Sequence, residues 1–429
     1  MRTAILKVIP VSELKPAEYN PRKKLKPGDK EYEKIKNSIE EFGFADPLVI
    51  NADMTIIGGH QRLTVAMDLG YTEVPCAVVD IDKVREKALN IALNKITGAW
   101  DENLLADLLQ DIQDSDFDLG KTGFDPPEIE TLFNKVHDKE VTDDDFDVES
   151  ELKQPAFSKP GDVWHLGRHN VICGDSTLPD TYHTLMGDVK ANLICTDPPY
   201  MISYENTSGT IRNDDLNDAE ALDFLMKAFS CFHEALADDG STYVFYASSK
   251  ARIFHDAYED SGFRVSCGLT WKKDRLVLSR TDWKQITEPI IFGWKKEGRH
   301  RWYGDQKQTT CFEFPRLKSS KEEGFGHPSS KPVPLIAYLI KQSTMTNGVV
   351  LDGFLGSAST LIACEQMERI CYGVEIEPKF MDVAVKRYIQ FKNGRYDDVY
   401  VIRDGQKLKF EEVASFEPEG GGLLRAGRR

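Results

Sequence analysis

No two of the eight cysteines form a C-x-x-C pair; they lie singly at positions 76, 173, 195, 231, 267, 311, 364 and 371. Thiols scattered in this way exclude a disulfide framework and a cysteine zinc site, and read as buried groups in a reducing compartment. Also missing is any apolar run of about 18 residues, the length that a membrane-crossing helix needs. The Met1-Arg2-Thr3 opening has no apolar leader, so a cytoplasmic protein without a membrane partner is expected. Bases are in short supply: 54 Lys and Arg stand against 70 Asp and Glu, a net charge of −16 at pH 7. That sign argues against a nucleic-acid partner until the charge is placed along the chain. Acids crowd 101–162, with Asp143-Asp144-Asp145 at the extreme, whereas 264–331 carries fifteen bases against eight acids. The second stretch has the sign of a surface that follows phosphates. With 429 residues the chain has room for two or three domains.

What is present centres on Ile194-Cys195-Thr196-Asp197-Pro198-Pro199-Tyr200. The apolar run 191–195 reads as the end of a buried strand, and it breaks into an acid, two prolines and a ring. Neither proline has an N–H and each fixes φ near about −65°, so the chain leaves the sheet there. Asp197 and Tyr200 would then stand at a strand's carboxyl edge, where open α/β sheets place ligands. This set suits an amino group on a flat ring. Asp197 and the Pro198 carbonyl accept its two hydrogens, and Tyr200 stacks on the ring. Asp125-Pro126-Pro127-Glu128 shares the first three letters, but no strand feeds it and no ring ends it. Its aspartate reads as a helix N-cap with proline in the first turn.

Residues 1–134 read as one small module, with strands over 5–9, 47–50, 55–57 and 74–79. Helices are expected over 31–42, 63–69, 84–95 and from 100 to 112, with Trp100 as a packing residue. Between the third strand and second helix lies Gly58-Gly59-His60-Gln61-Arg62. A glycine turn opening a helix presents N–H groups to an anion, which makes Gly59, His60 and Arg62 candidates for a nucleotide or DNA phosphate. The alternative is a plain turn with Arg62 pairing an acid. Over 135–159 the chain is acidic, aromatic-poor and aperiodic, the composition of a linker.

Beyond 160 strands and helices alternate in a doubly wound α/β pattern. Strands over 163–167 and 170–172 end in Cys173-Gly174-Asp175-Ser176, which puts a carboxylate at a strand tip. The polar stretch 201–218 reads as a mobile loop beside the site. Over 271–320, Lys272, Lys273, Arg275, Arg280, Lys284, Arg299, Arg301 and Arg316 are interleaved with Trp283, Trp294, Trp302 and Tyr303. That mixture suits phosphates and unstacked bases; the alternative places the rings in the core and the bases on a solvated rim. A strand over 349–351 ends in Asp352-Gly353-Phe354-Leu355-Gly356-Ser357-Ala358-Ser359-Thr360, and after a helix a strand over 371–374 ends in Glu375. Glycines let the backbone approach a ligand, and the distal acid accepts both hydroxyls of a ribose. The spacing is not G-x-G-x-x-G, so a pyrophosphate is not required. A carboxylate-lined pocket fits a cationic nucleoside such as S-adenosylmethionine.

Two resemblances rest on these residues. Ile9-Pro10-Val11-Ser12-Glu13-Leu14, the Asn20-Pro21-Arg22 turn and the Gly59-His60-Gln61-Arg62 box resemble the ParB/sulfiredoxin-like N-terminal domain. In ParB relatives that box contacts nucleotide phosphates; here His60 and Gln61 stand where partition proteins usually have Glu and Arg. The second half resembles the β-class DNA amino-methyltransferases. Asp197-Pro198-Pro199-Tyr200 matches their catalytic motif, and Asp352-x-Phe354-x-Gly356-Ser357, with Thr360 beyond it, their cofactor loop. Glu375 matches the ribose-binding acid, and Cys173-Gly174-Asp175 the motif whose acid contacts the cofactor's adenine. The stretch from Pro328 to Pro332, with Ser330 and Lys331, matches the segment near the cofactor's methionine end. Ala358-Ser359 stands where a second glycine is common. The catalytic motif precedes the cofactor loop, which is the permuted order of the β class.

The resemblance implies a Rossmann-like class I methyltransferase fold over 160–412, α/β with a mostly parallel sheet and helices on both faces. A small α+β ParB-like domain precedes it, 271–320 reads DNA, and 413–429 is a disordered tail. It further implies a bacterial or phage restriction-modification enzyme that uses S-adenosyl-L-methionine and needs no metal. The target base would be flipped out of double-stranded DNA. An acid at the first motif position points to adenine N6, since cytosine N4 enzymes more often begin with Ser. Cytosine N4 methylation, or a ParB-like DNA-binding or partition protein with a vestigial methylase, are the alternatives, and a homodimer stays open.

Overall fold

The computed structural model describes residues 4–95, 100–115, 117–136, 140–202, 205–206, 209–210, 214–277, 282–316 and 330–414. Arg280, Pro328 and all but the first two residues of the tail over 413–429 lie outside the described residues. The chain divides into two units, Met1–Asp138 and Lys139–Arg429.

The first unit has a four-stranded sheet in the order Ile5–Pro10, Glu73–Val79, Leu48–Asn51, Ile56–Gly58, its central pair parallel and its outer pairs antiparallel. Helices Lys30–Phe42, His60–Asp68 and Lys83–Asn94 accompany it. A further helix, Glu102–Gln113, repeats Leu105, Leu108, Leu109 and Ile112 at helical spacing, and all four are buried. Helix Pro126–Val136 buries Ile129 and Phe133. Asp125 starts that helix: its carbonyl accepts from the N–H groups of Glu128 and Ile129 at 2.9 and 3.1 Å. Proline is at home in the first turn because the N–H it lacks would have no partner there.

In the second unit Leu193 and Cys195 point to one face of their strand and Ile194 to the other, and all three are buried. A strand apolar on both faces belongs in the middle of a covered parallel sheet. Five parallel strands do form the centre, in the order Leu236–Phe245, Ala191–Thr196, Val349–Asp352, Ile370–Glu375, His169–Cys173. Beyond the last run antiparallel Val163–Leu166, Val399–Arg403 and Gln406–Lys409. Beyond the first lie Gln285–Lys295 and Phe263–Val277, a long antiparallel pair, then Cys311–Glu313. Helices Val333–Ser343, Ser359–Gln366 and Pro378–Phe391 cover one face. Pro179–Met186, Asp218–Ala235 and Ala251–Asp260 cover the other.

Within the basic and aromatic stretch over 271–320, residues 271–277, 285–295 and 311–313 are strands that extend this sheet. Trp271 and Trp294 are core residues, while Trp283 is 90% exposed. The acidic stretch expected as a linker is not a free tether from 140 onward. Thr142 exchanges two hydrogen bonds with the Gln366 amide, at 3.1 and 2.8 Å, and Asp143 accepts from the Val333 N–H at 2.7 Å. Arg387 Nε donates to Asp144 at 2.9 Å, and Asp382 accepts from the N–H groups of Phe157 and Ser158 at 2.8 and 2.9 Å. Asp143 and Asp144 thus have donor partners far along the chain, 190 and 243 residues away. Among the described residues no helix is long and apolar enough to cross a membrane.

Candidate active site

Register brings the Asp197–Tyr200 turn and the Asp352–Thr360 loop together. Leu193 and Ile194 pair with Val350 and Leu351 in parallel, so both strands end at the same edge. There Asp352, fully inside the protein, accepts from Thr196 Oγ1 at 2.8 Å and from Thr360 Oγ1 at 2.6 Å. The Phe354 N–H adds a third bond at 3.1 Å. Burial pushes the Asp352 carboxyl up to about 6 against the two hydroxyls, which hold it down. One strand over, Glu375 accepts from the N–H groups of Gly356 and Glu377, each at 2.8 Å. Burial again dominates and lifts Glu375 to about 7. Ala358 takes a left-handed conformation, φ 66°, before helix Ser359–Gln366; this is the position where a glycine would carry no strain. Arg387 donates to the carbonyl of Ser357, so the strap reaches the cofactor loop through Asp144.

A crevice opens at these strand ends, lined by Asp175, Pro199, Phe224, Phe354, Glu375 and Ile376 among others. The Asp175 carboxylate accepts from its own turn, from Thr177 N and Oγ1 at 2.9 and 2.8 Å. At Gly353 a Cβ would meet the Phe232 ring at 2.3 Å, so only glycine fits beside the pocket. Carboxylates at two strand tips with aromatic and aliphatic walls form a lining to which an adenosine with a cationic substituent is suited.

Asp197 leaves the neighbouring strand end, and its Oδ1 is buried without a hydrogen-bond partner. Its Oδ2 accepts from the ammonium of Lys331, which also lies 3.0 Å from Glu288. Lys273 reaches the other Glu288 oxygen at 2.7 Å, and the Tyr200 hydroxyl donates to Glu288 at 2.5 Å. Burial raises Asp197 above the ordinary carboxylate range; Lys331 opposes that rise and Glu288 adds to it. Burial would raise Glu288 too, but the ammonium groups of Lys331 and Lys273 outweigh it and hold it at about 2. Tyr200 is pushed well above 10, first by burial and then by the two carboxylates, so its hydroxyl stays a neutral donor.

Lys331 is thus found on Asp197, and Ser330 is half-buried just before it. Glu288 was missed by sequence reasoning. Its signal is a lone acid in the strand Gln285–Lys295, followed by Pro289, Ile290 and Ile291. Among the expected DNA contacts, Lys272 pairs with Glu313, Arg275 with Asp274 and Arg301 with Asp239, all at the surface. Lys284 and Arg299 are exposed, whereas Lys273 turns inward to Glu288.

In the first unit Gly59, at φ 95°, caps the helix that begins at His60. His60 Nε2 accepts from the Ala17 N–H at 3.3 Å, and burial lowers its pKa to about 4, so it is neutral. Arg62 pairs with the Asp46 carboxylate and donates to the Asp46 carbonyl at 2.7 Å. Of the two readings of this box, the arginine paired with an acid is the one observed.

The chain matches the DNA methylase family over residues 191–386, the ParB N-terminal domain over 1–95 and the ParB-methyltransferase HTH domain over 103–160. The last match takes in both helices after 101 and the strap. It is similar to the type II methyltransferase M2.DpnII of Streptococcus pneumoniae, 26% identical over 48% of this chain and 87% of that protein. Its identity to the DNA adenine methyltransferase YhdJ of Escherichia coli is 25%, over 46% of this chain and 76% of that protein. Among solved structures, the M1.HpyAVI–SAM complex aligns with 51% of this chain and 98% of its own, at 21% identity and a TM-score of 0.38.

Proposed function

This chain is a DNA methyltransferase carrying ParB-like domains at its N-terminal end, and from that premise we propose that it methylates the exocyclic N6 of an adenine flipped out of duplex DNA. The observation that carries the proposal is the unpartnered Oδ1 of Asp197, a buried acceptor at a strand tip beside a tyrosine ring. A buried carboxylate oxygen left without a donor is costly, commonly by about 1–3 kcal/mol, so a site that keeps one holds a place for a donor. The amino group of a flipped base is that donor.

Extruding the base costs a few kcal/mol of stacking, and stacking on Tyr200 returns about 1–3 kcal/mol of it. Asp197 Oδ1 and the Pro198 carbonyl accept the two amino hydrogens. They favour a pyramidal nitrogen whose lone pair is directed out of the ring plane, and orientation of this kind is the main contribution of the site. The proton that nitrogen sheds on methylation has Asp197 as its nearest acceptor. When bound, S-adenosylmethionine supplies an electrophilic methyl carbon. Glu375 would hold its ribose hydroxyls, Asp175 its adenine, and Phe354 its apolar flank.

Asp at the head of the catalytic turn, and the relative YhdJ, named as an adenine enzyme, support adenine over cytosine. The test is mass spectrometry of nucleosides from unmodified genomic DNA incubated with the protein and S-adenosylmethionine. N6-methyldeoxyadenosine is expected; N4-methyldeoxycytidine in its place would overturn the choice of base. DNA is the partner of the whole chain, and the half-buried Lys272 with the exposed Arg275, Lys284, Arg299 and Arg301 are its proposed phosphate contacts. A phosphate at Gly59 and the helix start at His60 is a weaker proposal, because Arg62 is already paired.

A further inference from the structure

We propose that Lys331, clamped by Glu288, is a positioning residue for the catalytic carboxylate: it holds Asp197 by one oxygen and leaves the other for the target amino group. The proposal rests on the methyltransferase reading and adds two residues to it.

Four side chains of alternating sign stand in a row: Asp197, Lys331, Glu288 and Lys273, with exposures of 19, 7, 11 and 13%. Charges this far from water are kept only when each has a partner. In this row every inner charge has two. The Lys331 ammonium also lies 5.4 Å from the centre of the Tyr200 ring and 5.1 Å from that of Phe245, so aromatic faces bound it on its remaining sides. Its backbone is fixed in turn: Pro332 caps helix Val333–Ser343, whose first N–H is taken by Asp143.

The groups acting on Asp197 are Lys331, Glu288 from the strand Gln285–Lys295, and Tyr200 from its own turn. Asp352, on the adjacent strand end, is held by its two threonines. Lys331 is the one cation in this set that touches Asp197, and Glu288 works against it. Without the ammonium, burial and Glu288 would both favour a proton on Asp197, and a protonated carboxyl offers the amine a donor where it needs an acceptor.

The experiment compares wild type, Lys331→Met and Glu288→Gln in three measurements: the pH profile of single-turnover methyl transfer to unmodified genomic DNA, cofactor affinity by calorimetry, and thermal melting. In Lys331→Met the acidic limb of the profile moves up by about one pH unit or more, which at a given pH on that limb is a fall in transfer of about tenfold or more. Cofactor affinity stays within about threefold. Lys331→Arg restores much of the limb's position. Glu288→Gln leaves Lys331 with one carboxylate fewer, and a fall in transfer at unchanged cofactor affinity is expected; this variant carries the test if Lys331→Met does not fold. An unmoved limb in a folded Lys331→Met, or a tenfold loss of cofactor affinity with the limb in place, overturns the proposal. A wild-type protein that binds the cofactor but methylates no DNA overturns the functional reading, and this one with it.

Discussion

Glu375 gives the most quantitative handle on the proposed cofactor crevice. Burial lifts its carboxyl from 4.5 to about 7, against two backbone N–H groups that pull the other way. If Glu375 accepts two ribose hydroxyls, as proposed, it does so in the ionised form, and cofactor binding removes the proton. If affinity scales with the ionised fraction, it rises about tenfold between pH 6 and pH 8, or about 1.4 kcal/mol. Linkage then requires release of about 0.9 proton at pH 6, 0.5 at pH 7 and 0.1 at pH 8. Calorimetry in buffers of different ionisation enthalpy reads both quantities. In Glu375→Gln binding is weaker and both slopes flatten. The same shift acts on the free protein. Because the folded value lies above the unfolded one, the group's contribution to stability is fully present below about 4.5 and is lost as pH rises through about 7. Wild-type affinity that is level from pH 6 to pH 8, or a Glu375→Gln protein that keeps the wild-type slope, would refute the reasoning.

Asp197→Ala lowers labelled-methyl incorporation by about a hundredfold to a thousandfold, the scale of losing one preorganised transition-state contact, with cofactor affinity within a few-fold. Near-normal turnover would remove Asp197 from the assigned role. Thr360→Val strips one of two hydroxyl donors from buried Asp352 and costs about 1–3 kcal/mol, read from the denaturant midpoint. A fragment of residues 135–429 melts cooperatively and transfers methyl groups. One of 160–429 lacks Thr142, Asp143 and Asp144 and melts at least several degrees lower. Equal melting temperatures would show that the strap does not support the fold.

The catalytic turn was legible because its signal is local: a short apolar strand, then residues that cannot continue a sheet. The same holds for Asp352, Gly356 and Glu375, each set by a strand end and the turn after it. What escaped is what depends on partners far along the chain. Glu288 meets Lys331 across 43 positions and Tyr200 across 88, and no window of sequence contains the set. Lys331 was assigned by its motif neighbours, yet its side chain turns to the acid 134 positions earlier. Asp143 and Asp144 look like solvated linker charge until Val333 and Arg387 are in place. Trp271 and Trp294 spell the same as Trp283, and only strand pairing separates the two buried rings from the exposed one.

The two long strands at the sheet's flank, Phe263–Val277 and Gln285–Lys295, have unequal freedom to change. The inner one is hydrogen-bonded on both edges and delivers Glu288 to the Lys331 ammonium that holds Asp197, so a residue inserted there would shift its register and with it that charge. Among the described residues, the outer one bears only Lys273 on that row, through a flexible side chain. Grafting a foreign recognition segment onto this enzyme would therefore succeed with junctions outside 285–295, and fail with a splice inside it, however well the donor piece reads its own target.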